Sequence, residues 1–534
     1  MEIRDLRRYR ALGLIGAIAL AVGGLTSGSL PVRAPFYLSA DARHEFGLPA
    51  FGMICAMAGL IVLIAAWLRL RPLLTGQPKA ARMVLVWWTI PFMLAPPMFS
   101  RDVYSYLAQG AMVGRGLDAY LVGPAALGQN PLVTQVHPLW LQTPAPYGPV
   151  FLALAAAVVW VTGTNLVAGV LGMRLVALLS VAALAVVVPR LAPRYRVDPG
   201  QAVWLALLNP LVIVHVVAGV HNEALMISLL MTGLLLASGH RRSRSAPSWR
   251  LAPAVVLVTL AALVKAPAAL ALAYLAHLWA TRIGGATQIG GRWRWPIGIG
   301  ATSAIAAATV AAVTWGTGLG LGWVGALKTP AIVHNGLSIS TDLGHIVAWL
   351  GHSFGLAVET DSAVALTRSA GGVVAVLVCL VAWLRRDRLG TPAAVGLALG
   401  ALVMLGPVVH PWYLLWALVP LAAGTQDPRI LRWAIGLSVG MSLVILPHGV
   451  TFTVRGVAEA IAGVGIGLMV FSMSEMLQGE PVPVNAEPTD HPGGDGGDHG
   501  VVPEVLAGVN VGDVHLDEGS TQQGTGVSDR VRIM

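Results

Sequence analysis

Long apolar runs that recur along most of the sequence are the feature that most constrains the fold of this chain. The first run covers residues 11–30, and a helix needs about 20 apolar residues to cross the hydrocarbon core of a bilayer. Only 11% of the 534 residues are charged, whereas soluble domains carry about 25%. The runs are continuous rather than alternating, which favours helices over a membrane barrel. The sequence therefore predicts an all-α polytopic membrane protein, a bundle of about 12–14 transmembrane helices.

The distribution of charge predicts how these helices are oriented. The net charge of +9 becomes +17 when residues 480–534 are left out, because that segment holds ten acidic side chains and two arginines. The remaining arginines lie in short segments between apolar runs, where cytoplasmic loops carry them. We therefore expect a multi-pass plasma-membrane protein with both termini in the cytoplasm and residues 99–148 outside. This pattern gives no support to nucleic-acid binding.

Two regions differ in composition. Residues 1–478 contain the apolar runs and form the predicted transmembrane domain. Residues 479–534 are rich in Pro, Gly and Asp and have no periodic apolar stripe, so they cannot bury enough surface to fold. We expect a disordered acidic tail on the cytoplasmic side.

Helices are expected where the apolar runs lie, and two runs should be interrupted. Pro267 removes a helix hydrogen bond two residues after Lys265. Residues 163–165, a Gly-Thr-Asn sequence, interrupt segment 149–188, which leaves one or three crossings equally open. The other expected helices lie near residues 11–30, 50–68, 83–98, 201–219, 223–239, 297–315, 363–384, 391–409, 412–424, 431–446 and 455–474.

Polar groups in or beside the apolar runs gather on one predicted face of the membrane. Ionisable residues at membrane depth are costly and are therefore functional candidates. Five such clusters on one face of the membrane suggest a single outward-facing cavity. The clusters are the 99–148 loop, His221-Asn222-Glu223, Lys265, His334-Asn335 and residues 410–413 (His-Pro-Trp-Tyr).

Asp102 is the candidate general base. It follows a predicted membrane helix directly, so its carboxylate would lie at the boundary between water and lipid. A carboxylate there can accept a proton from a hydroxyl nucleophile. Aspartate is also a preferred helix N-cap, and the sequence leaves that alternative open.

The other candidates also have structural alternatives. Tyr104, Tyr106 and Tyr147 fit an interfacial aromatic belt as well as a sugar-stacking surface. Asn222 or Glu223 could cap the following helix. Lys265 needs an anionic partner, which a lipid phosphate, Asp102 or Glu223 could supply. His334 and His410 could bind phosphate or sugar, or be structural. No metal-binding or nucleotide-binding motif is present, and we expect no metal and no cofactor.

These motifs resemble a known family, the actinobacterial polyprenol-phosphomannose-dependent alpha-1,6-mannosyltransferases, which build the mannan backbone of lipomannan in the cell wall. The resemblance covers about residues 10–475 and excludes the tail. The matching strings are Arg101-Asp102-Val103-Tyr104-Ser105-Tyr106, Ala108-Gln109-Gly110, Gly116-Leu117-Asp118-Ala119-Tyr120, Thr143-Pro144-Ala145-Pro146-Tyr147-Gly148-Pro149, Asn209-Pro210, His221-Asn222-Glu223-Ala224-Leu225-Met226, Lys265-Ala266-Pro267 and His410-Pro411-Trp412-Tyr413.

The resemblance implies a GT-C glycosyltransferase fold with an acidic residue at the membrane boundary of its first extracytoplasmic loop. Asp102 matches that residue. Many fold relatives carry two adjacent acids there, whereas Val103 follows Asp102 in this chain, so Glu223 is the nearest candidate for a second carboxylate. In many relatives the acidic residue follows the first helix, and here three predicted helices precede it.

The implied reaction transfers mannose with inversion from polyprenyl-phosphomannose to the 6-hydroxyl of a mannan or phosphatidylinositol-mannoside-type glycolipid acceptor. Asp102 would be the base, and Lys265, with His410 or Arg101, would stabilise the leaving phosphate. The expected substrate-binding residues are Arg101, Tyr104, Tyr106, Gln109, Tyr147, His221, Asn222, Glu223, Lys265, His334, His410, Trp412 and Tyr413.

A multi-pass lipid or glycan transporter or flippase is the competing class. It would also have many helices, interrupted segments and intramembrane charges. A transporter would more often place its key charges at the bilayer midplane, so the polar loop carrying Asp102 favours the enzyme.

Overall fold

The computed structural model describes residues 2–31, 47–239, 248–286, 292–329, 337–449 and 454–476. Helices dominate these residues, which contain no strand, and the prediction of an all-α membrane fold is confirmed. His334, Asn335 and the predicted tail at 479–534 lie outside the described residues. What the sequence suggested about them therefore stays a prediction.

The described helices follow the apolar runs, except that the run near 201–219, expected as one helix, is divided into the helix Pro199–Ala206 and the π-helix Val212–Ala218. The longer ones are Glu2–Ser27, Leu48–Leu73, Pro78–Thr89, Asp102–Gly114, Pro149–Thr162, Leu166–Leu191, Pro199–Ala206, Glu223–Gly239, Ala252–Ala262, Leu270–Ala286, Arg294–Thr317, Ile339–Ser353, Thr360–Leu384, Thr391–Met404, Leu415–Gly424, Pro428–Leu443 and Val454–Met476. Shorter helical segments that bear on the site are the π-helix Val212–Ala218 and the 3₁₀ turns Ala266–Ala269 and Pro411–Leu414.

Six of the described helices are long and apolar enough to cross a membrane, and a bent pair, Val212–Ala218 with Glu223–Ser238, raises the number to seven. Four further apolar helices have only 10–17 residues. The count of 12–14 spans therefore remains a prediction.

Both predicted interruptions are present. The helix before Lys265 ends at Ala262, and the next begins at Leu270 after a 3₁₀ turn. Gly163 has a positive φ of 59°, and the Asn165 side chain accepts a hydrogen bond from the amide of Ala168 to start the next helix. The helix Ile339–Ser353 was not predicted, because polar residues such as Asp342 interrupt its apolar pattern.

Glycines let the first two long helices pack backbone to backbone. A Cβ on Gly16 would lie 2.7 Å from the carbonyl oxygen of Gly59, and one on Gly59 would lie 2.4 Å from that of Gly16. Gly23 and Gly52 are opposed in the same way. Small residues at such contacts are typical of membrane helix pairs. The hydrophobic effect does not drive helix association within lipid, so close van der Waals packing has to stabilise the pair.

The core and the rim of the bundle differ in burial. Leu415–Gly424 is buried along its whole length, and Trp204 stacks on Trp67 at 4.7 Å between ring centroids. The helices Arg294–Thr317 and Thr360–Leu384 instead expose many large apolar side chains. Such exposure is unfavourable in water and ordinary in lipid, which agrees with a membrane protein.

Candidate active site

Asp102 is the first residue of the helix Asp102–Gly114, which we call the loop helix. The N-cap position belongs to Arg101, whose side chain makes no capping bond, and the amide of Asp102 donates to Ser100 Oγ at 3.0 Å. The Asp102 carboxylate is therefore not used as a cap. Its side chain is 22% exposed, and its Oδ2 lies 3.6 Å from Nε2 of His221.

Arg101 and Tyr104 anchor the loop helix to the rest of the protein. The Arg101 guanidinium donates to the carbonyl oxygens of Leu30, at 3.0 Å, and of Gln135. The Tyr104 hydroxyl donates to the carbonyl of Ser29 at 2.7 Å, and its side chain is fully buried. Tyr104 therefore belongs to neither an interfacial belt nor a sugar-stacking surface in this structure. Both residues hold Asp102 in place, and a role in contacting substrate is not supported for Tyr104.

One face of the loop helix carries a row of polar side chains. Asp102, Ser105, Tyr106 and Gln109 are separated by three and four residues, so they share that face. Ser105 Oγ, the Tyr106 hydroxyl and Gln109 Oε1 are buried without a hydrogen-bond partner. Buried polar atoms are almost always paired, so such a row indicates a surface that a polar ligand completes.

His137 lies in the same loop and was not singled out from the sequence. Burial lowers the pKa of its imidazole, the positive charge of Arg101 lowers it further, and Asp102 opposes part of that shift. His137 is therefore a neutral neighbour of the loop helix at pH 7.

A strained segment presents His221 to Asp102. The π-helix Val212–Ala218 ends just before it, and Val220 has a positive φ of 59°, which is rare for a β-branched residue. The carbonyl of His215 accepts hydrogen bonds from both the amide and Nδ1 of His221. His221 is fully buried, so these bonds fix its ring.

Asn222 and Glu223 start the helix Glu223–Gly239 without capping it through their side chains. The backbone carbonyl of Asn222 accepts from the amide of Leu225, while both polar atoms of its side chain are buried and unpaired. Glu223 is fully buried, and its carboxylate pairs with Lys265 instead.

Lys265 forms an ion pair with Glu223, which was one of the three partners that the sequence left open. Its Nζ bonds to Glu223 Oε1, and Glu223 Oε2 has no partner. Three aromatic rings surround the ammonium, with centroids at 5.5 Å for Tyr147, 4.8 Å for Tyr413 and 5.6 Å for Trp416. The side chain of Lys265 is 10% exposed. A buried charge is thus paired and enclosed by π faces.

The Tyr147-Gly148-Pro149 motif closes the break at Lys265. Pro267 has no amide to bond the carbonyl of Leu263, and the amide of Val150 donates to that carbonyl at 3.2 Å instead. The amide of Gly148 likewise donates to the carbonyl of Val264 at 3.1 Å. A Cβ on Gly148 would lie 2.0 Å from the oxygen of Leu263, so only glycine allows this approach. The contact holds Tyr147 beside Lys265.

Residues 410–413 supply the other wall of the site. Trp412 lies between two imidazoles, stacked on His221 at 3.9 Å and on His410 at 4.5 Å between centroids. Tyr413 stacks on Trp416 at 4.4 Å and faces Lys265. On the opposite wall, Tyr106 packs edge to face against Tyr147 at 5.2 Å.

The structure therefore joins most of the predicted residues through direct contacts. Asp102 lies against His221, and His221 stacks on Trp412. Lys265 pairs with Glu223 and makes cation–π contacts with Tyr147 and Tyr413. His334 is outside the described residues. His215 and Trp416 were missed, although a histidine inside the apolar run 210–220 was a usable signal, since ionisable residues there are uncommon.

The chain matches family models over most of its length. Residues 10–281 match the alpha-(1→6)-mannopyranosyltransferase N-terminal domain, and residues 340–474 match the MptB C-terminal domain. No solved structure matches the chain.

Curated relatives agree with these matches. A probable alpha-(1→6)-mannopyranosyltransferase of Mycolicibacterium smegmatis is 37% identical over 82% of this chain and 83% of its own length. Alpha-(1→6)-mannopyranosyltransferase B of Corynebacterium glutamicum is 33% identical over 88% of this chain and 82% of its own. Alpha-(1→6)-mannopyranosyltransferase A of Mycobacterium tuberculosis is 33% identical over 82% and 84%. The chain belongs to the alpha-(1→6)-mannopyranosyltransferase family and is a membrane glycosyltransferase rather than a transporter.

Proposed function

We propose that this mannosyltransferase takes mannose from polyprenyl-phosphomannose and transfers it to the 6-hydroxyl of an alpha-1,6-mannan or phosphatidylinositol-mannoside-type acceptor, as in synthesis of a lipomannan backbone. The observation that carries the proposal is the Asp102 carboxylate. It is partly exposed, it is free of any capping bond, and it begins a row of buried polar atoms that lack partners.

Asp102 acts as the general base in this reaction. The acceptor hydroxyl gives its proton to the carboxylate while its oxygen attacks C1 of the mannose, and the bond from C1 to the phosphate oxygen breaks. Attack from the face opposite the phosphate converts a beta-linked donor into an alpha-linked product. A positioned base contributes about 10²–10⁴ in rate.

Lys265 stabilises the leaving phosphate. An ammonium has three N–H donors, and Glu223 Oε1 engages one of them, so two remain for phosphate oxygens. Charge that develops in an enclosed site of low dielectric is stabilised more strongly than in water. The aromatic rings around Lys265 exclude water and keep the ammonium in place.

A lipid-linked donor places the reaction at the bilayer surface. The arginine-rich segments that bound the apolar runs favour a location of the loop helix on the extracytoplasmic side, with both termini in the cytoplasm. The tyrosines Tyr106, Tyr147 and Tyr413, with Gln109, Asn222 and His410, are the groups we assign to sugar and phosphate binding.

The test is mannose incorporation by membranes that contain the protein, supplied with polyprenyl-phosphomannose and a short alpha-1,6-mannoside. Asp102→Asn should lower the rate by about 10²–10⁴. Asp118→Asn is the matched control, because Asp118 is an exposed carboxylate in the same loop. Its Oδ1 accepts a hydrogen bond from the amide of Tyr120, and the side-chain oxygen of asparagine can accept the same bond. Near-normal transfer by Asp102→Asn at equal protein level would refute the role of the base. No transfer by the wild type with this donor would refute the donor.

A further inference from the structure

We propose that the base is a pair rather than a single carboxylate, and that His221 holds the proton that Asp102 takes from the acceptor. This inference rests on the proposed function and adds a second proton-accepting residue to it. His221 then acts on the substrate through Asp102 and does not bind sugar itself.

The hydrogen bonds of His221 determine which atoms face each other. Its Nδ1 lies 2.8 Å from the carbonyl oxygen of His215, and a carbonyl only accepts, so Nδ1 carries a hydrogen. Nε2 of a neutral ring then has only a lone pair, and this atom lies 3.6 Å from Oδ2 of Asp102. Two acceptors that face each other in a buried site attract a proton, which binds between them as an imidazolium–carboxylate pair.

Access to the pair is one-sided. Asp102 is 22% exposed and His221 is fully buried, so a hydroxyl reaches the carboxylate and not the imidazole. In the transfer step the hydroxyl O–H bond breaks, the bond from oxygen to C1 forms, and the bond from C1 to the phosphate oxygen breaks with its electron pair going to phosphate. The pair changes from carboxylate and neutral imidazole to carboxylate and imidazolium, and it returns the proton to water after product release.

An aromatic side chain covers one face of the His221 ring. Trp412 stacks on the ring at 3.9 Å, and an aromatic face attracts a cation. Positive-φ residues precede both members of the pair, since Phe99 at 63° lies three residues before Asp102 and Val220 at 59° lies directly before His221. Backbone strain of this kind persists where the surrounding structure holds a functional geometry.

Other titratable groups also face the pair and set the pH at which it accepts a proton. His215 packs against His221 with centroids 5.9 Å apart, and His410 lies across Trp412. The Lys265 ammonium acts on Asp102 through its charge, and Glu223 is its counter-ion. Each of them remains in place when only His221 is replaced.

The test is the pH dependence of kcat/KM for His221→Gln in the mannose-transfer assay. The glutamine amide reaches Asp102 as a donor and cannot take up a proton. In the wild type, activity should rise with pH as the pair loses its proton. In His221→Gln that rise should occur at least about one pH unit lower, because a lone carboxylate loses its proton at lower pH, and the plateau should fall by about 10-fold or more since a weaker base remains.

His277→Gln is the control, because His277 is also buried and contacts Arg386 and Asp387 rather than Asp102. A purely structural His221 would lower the yield or the melting temperature and leave the pH profile unchanged, which would overturn the proposal. Trp412→Phe provides a second measurement if His221→Gln does not accumulate: weaker stacking should shift the rise to lower pH, and an unshifted rise would also overturn it. Inactive wild type would instead contradict the proposed function.

Discussion

The ion pair between Lys265 and Glu223 makes a prediction that separates folding from catalysis. Lys265→Met removes the ammonium and leaves the fully buried Glu223 carboxylate without a counter-charge. Removing one partner of a buried pair costs about 3–5 kcal/mol, which is a factor of about 10²–10³ or more in the ratio of folded to unfolded protein. Three cation–π contacts are lost as well, each worth about 0.5–2 kcal/mol and not additive. We expect melting in detergent to fall by several degrees.

A second substitution tests whether the loss comes from the orphaned charge. Glu223→Gln combined with Lys265→Met makes both members neutral, and replacing a buried pair by neutral groups is often tolerated. The double variant should recover most of the melting temperature lost by Lys265→Met. Lys79→Met, at an exposed lysine, is the control and should melt like the wild type. A double variant that melts no higher than Lys265→Met would refute this explanation.

The same two variants test the binding of the donor phosphate. If Lys265 binds phosphate, the double variant is folded and still has a higher KM for polyprenyl-phosphomannose, a lower kcat, or both, with an unchanged KM for the acceptor. Lys265→Arg should retain more activity than Lys265→Met, since it keeps the charge in a wider planar form. Wild-type donor kinetics in the folded double variant would leave Lys265 with a structural role only.

Three further predictions follow from the structure and the charge pattern. Gly148→Ala should lower activity strongly and stability by about 1–3 kcal/mol, because the added Cβ would overlap the carbonyl of Leu263. Gly114→Ala is the control and should behave like the wild type, because a Cβ there meets open space. Equal activity of the two variants would refute the importance of the contact between Gly148 and Leu263. Gln129→Cys and Arg388→Cys introduce cysteines at exposed positions that we expect on opposite sides of the membrane. When intact cells are treated with a membrane-impermeant thiol reagent, Gln129→Cys should be labelled and Arg388→Cys should be protected. The reverse pattern would show that the topology is inverted. Truncation after Met476 should retain transfer activity, and complete loss at a normal protein level would show that residues 477–534 are needed.

The helices could be predicted from the sequence because hydropathy and helix breaks are local properties. Pro267 and the Gly163–Asn165 sequence interrupt the helices where expected. The helix Ile339–Ser353 escaped because Asp342 and His345 dilute its apolar pattern. Several apolar runs form helices of only 10–17 residues, because breaks such as the one at Lys265 divide them.

The candidate site could be predicted only as a set of residues. Ionisable side chains in or beside the apolar runs marked Lys265 and His221, and the structure brings His221 against Asp102 and Trp412. The choice among partners could not be predicted, because Glu223 and Lys265 are 42 residues apart and their pairing depends on how separate helices pack. The roles of Arg101 and Tyr104 as anchors depend on the carbonyls of Leu30 and Ser29, which carry no sequence signal.

Many relatives of the fold carry two adjacent acids in the first extracytoplasmic loop, whereas this chain has Asp102 followed by Val103. The pairing of Glu223 with Lys265 helps to identify the group that takes the place of the second acid. Val103 stands where a second acid would follow Asp102, and Glu223 was the nearest substitute. Because Glu223 is neutralised by Lys265, it is a poor second proton acceptor at the site. His221 is the group that lies against Asp102, and an imidazole beside a carboxylate can share a proton as two carboxylates do. A single acid at the start of the loop helix is therefore compatible with a two-group base, in which the second group comes from a different helix connection.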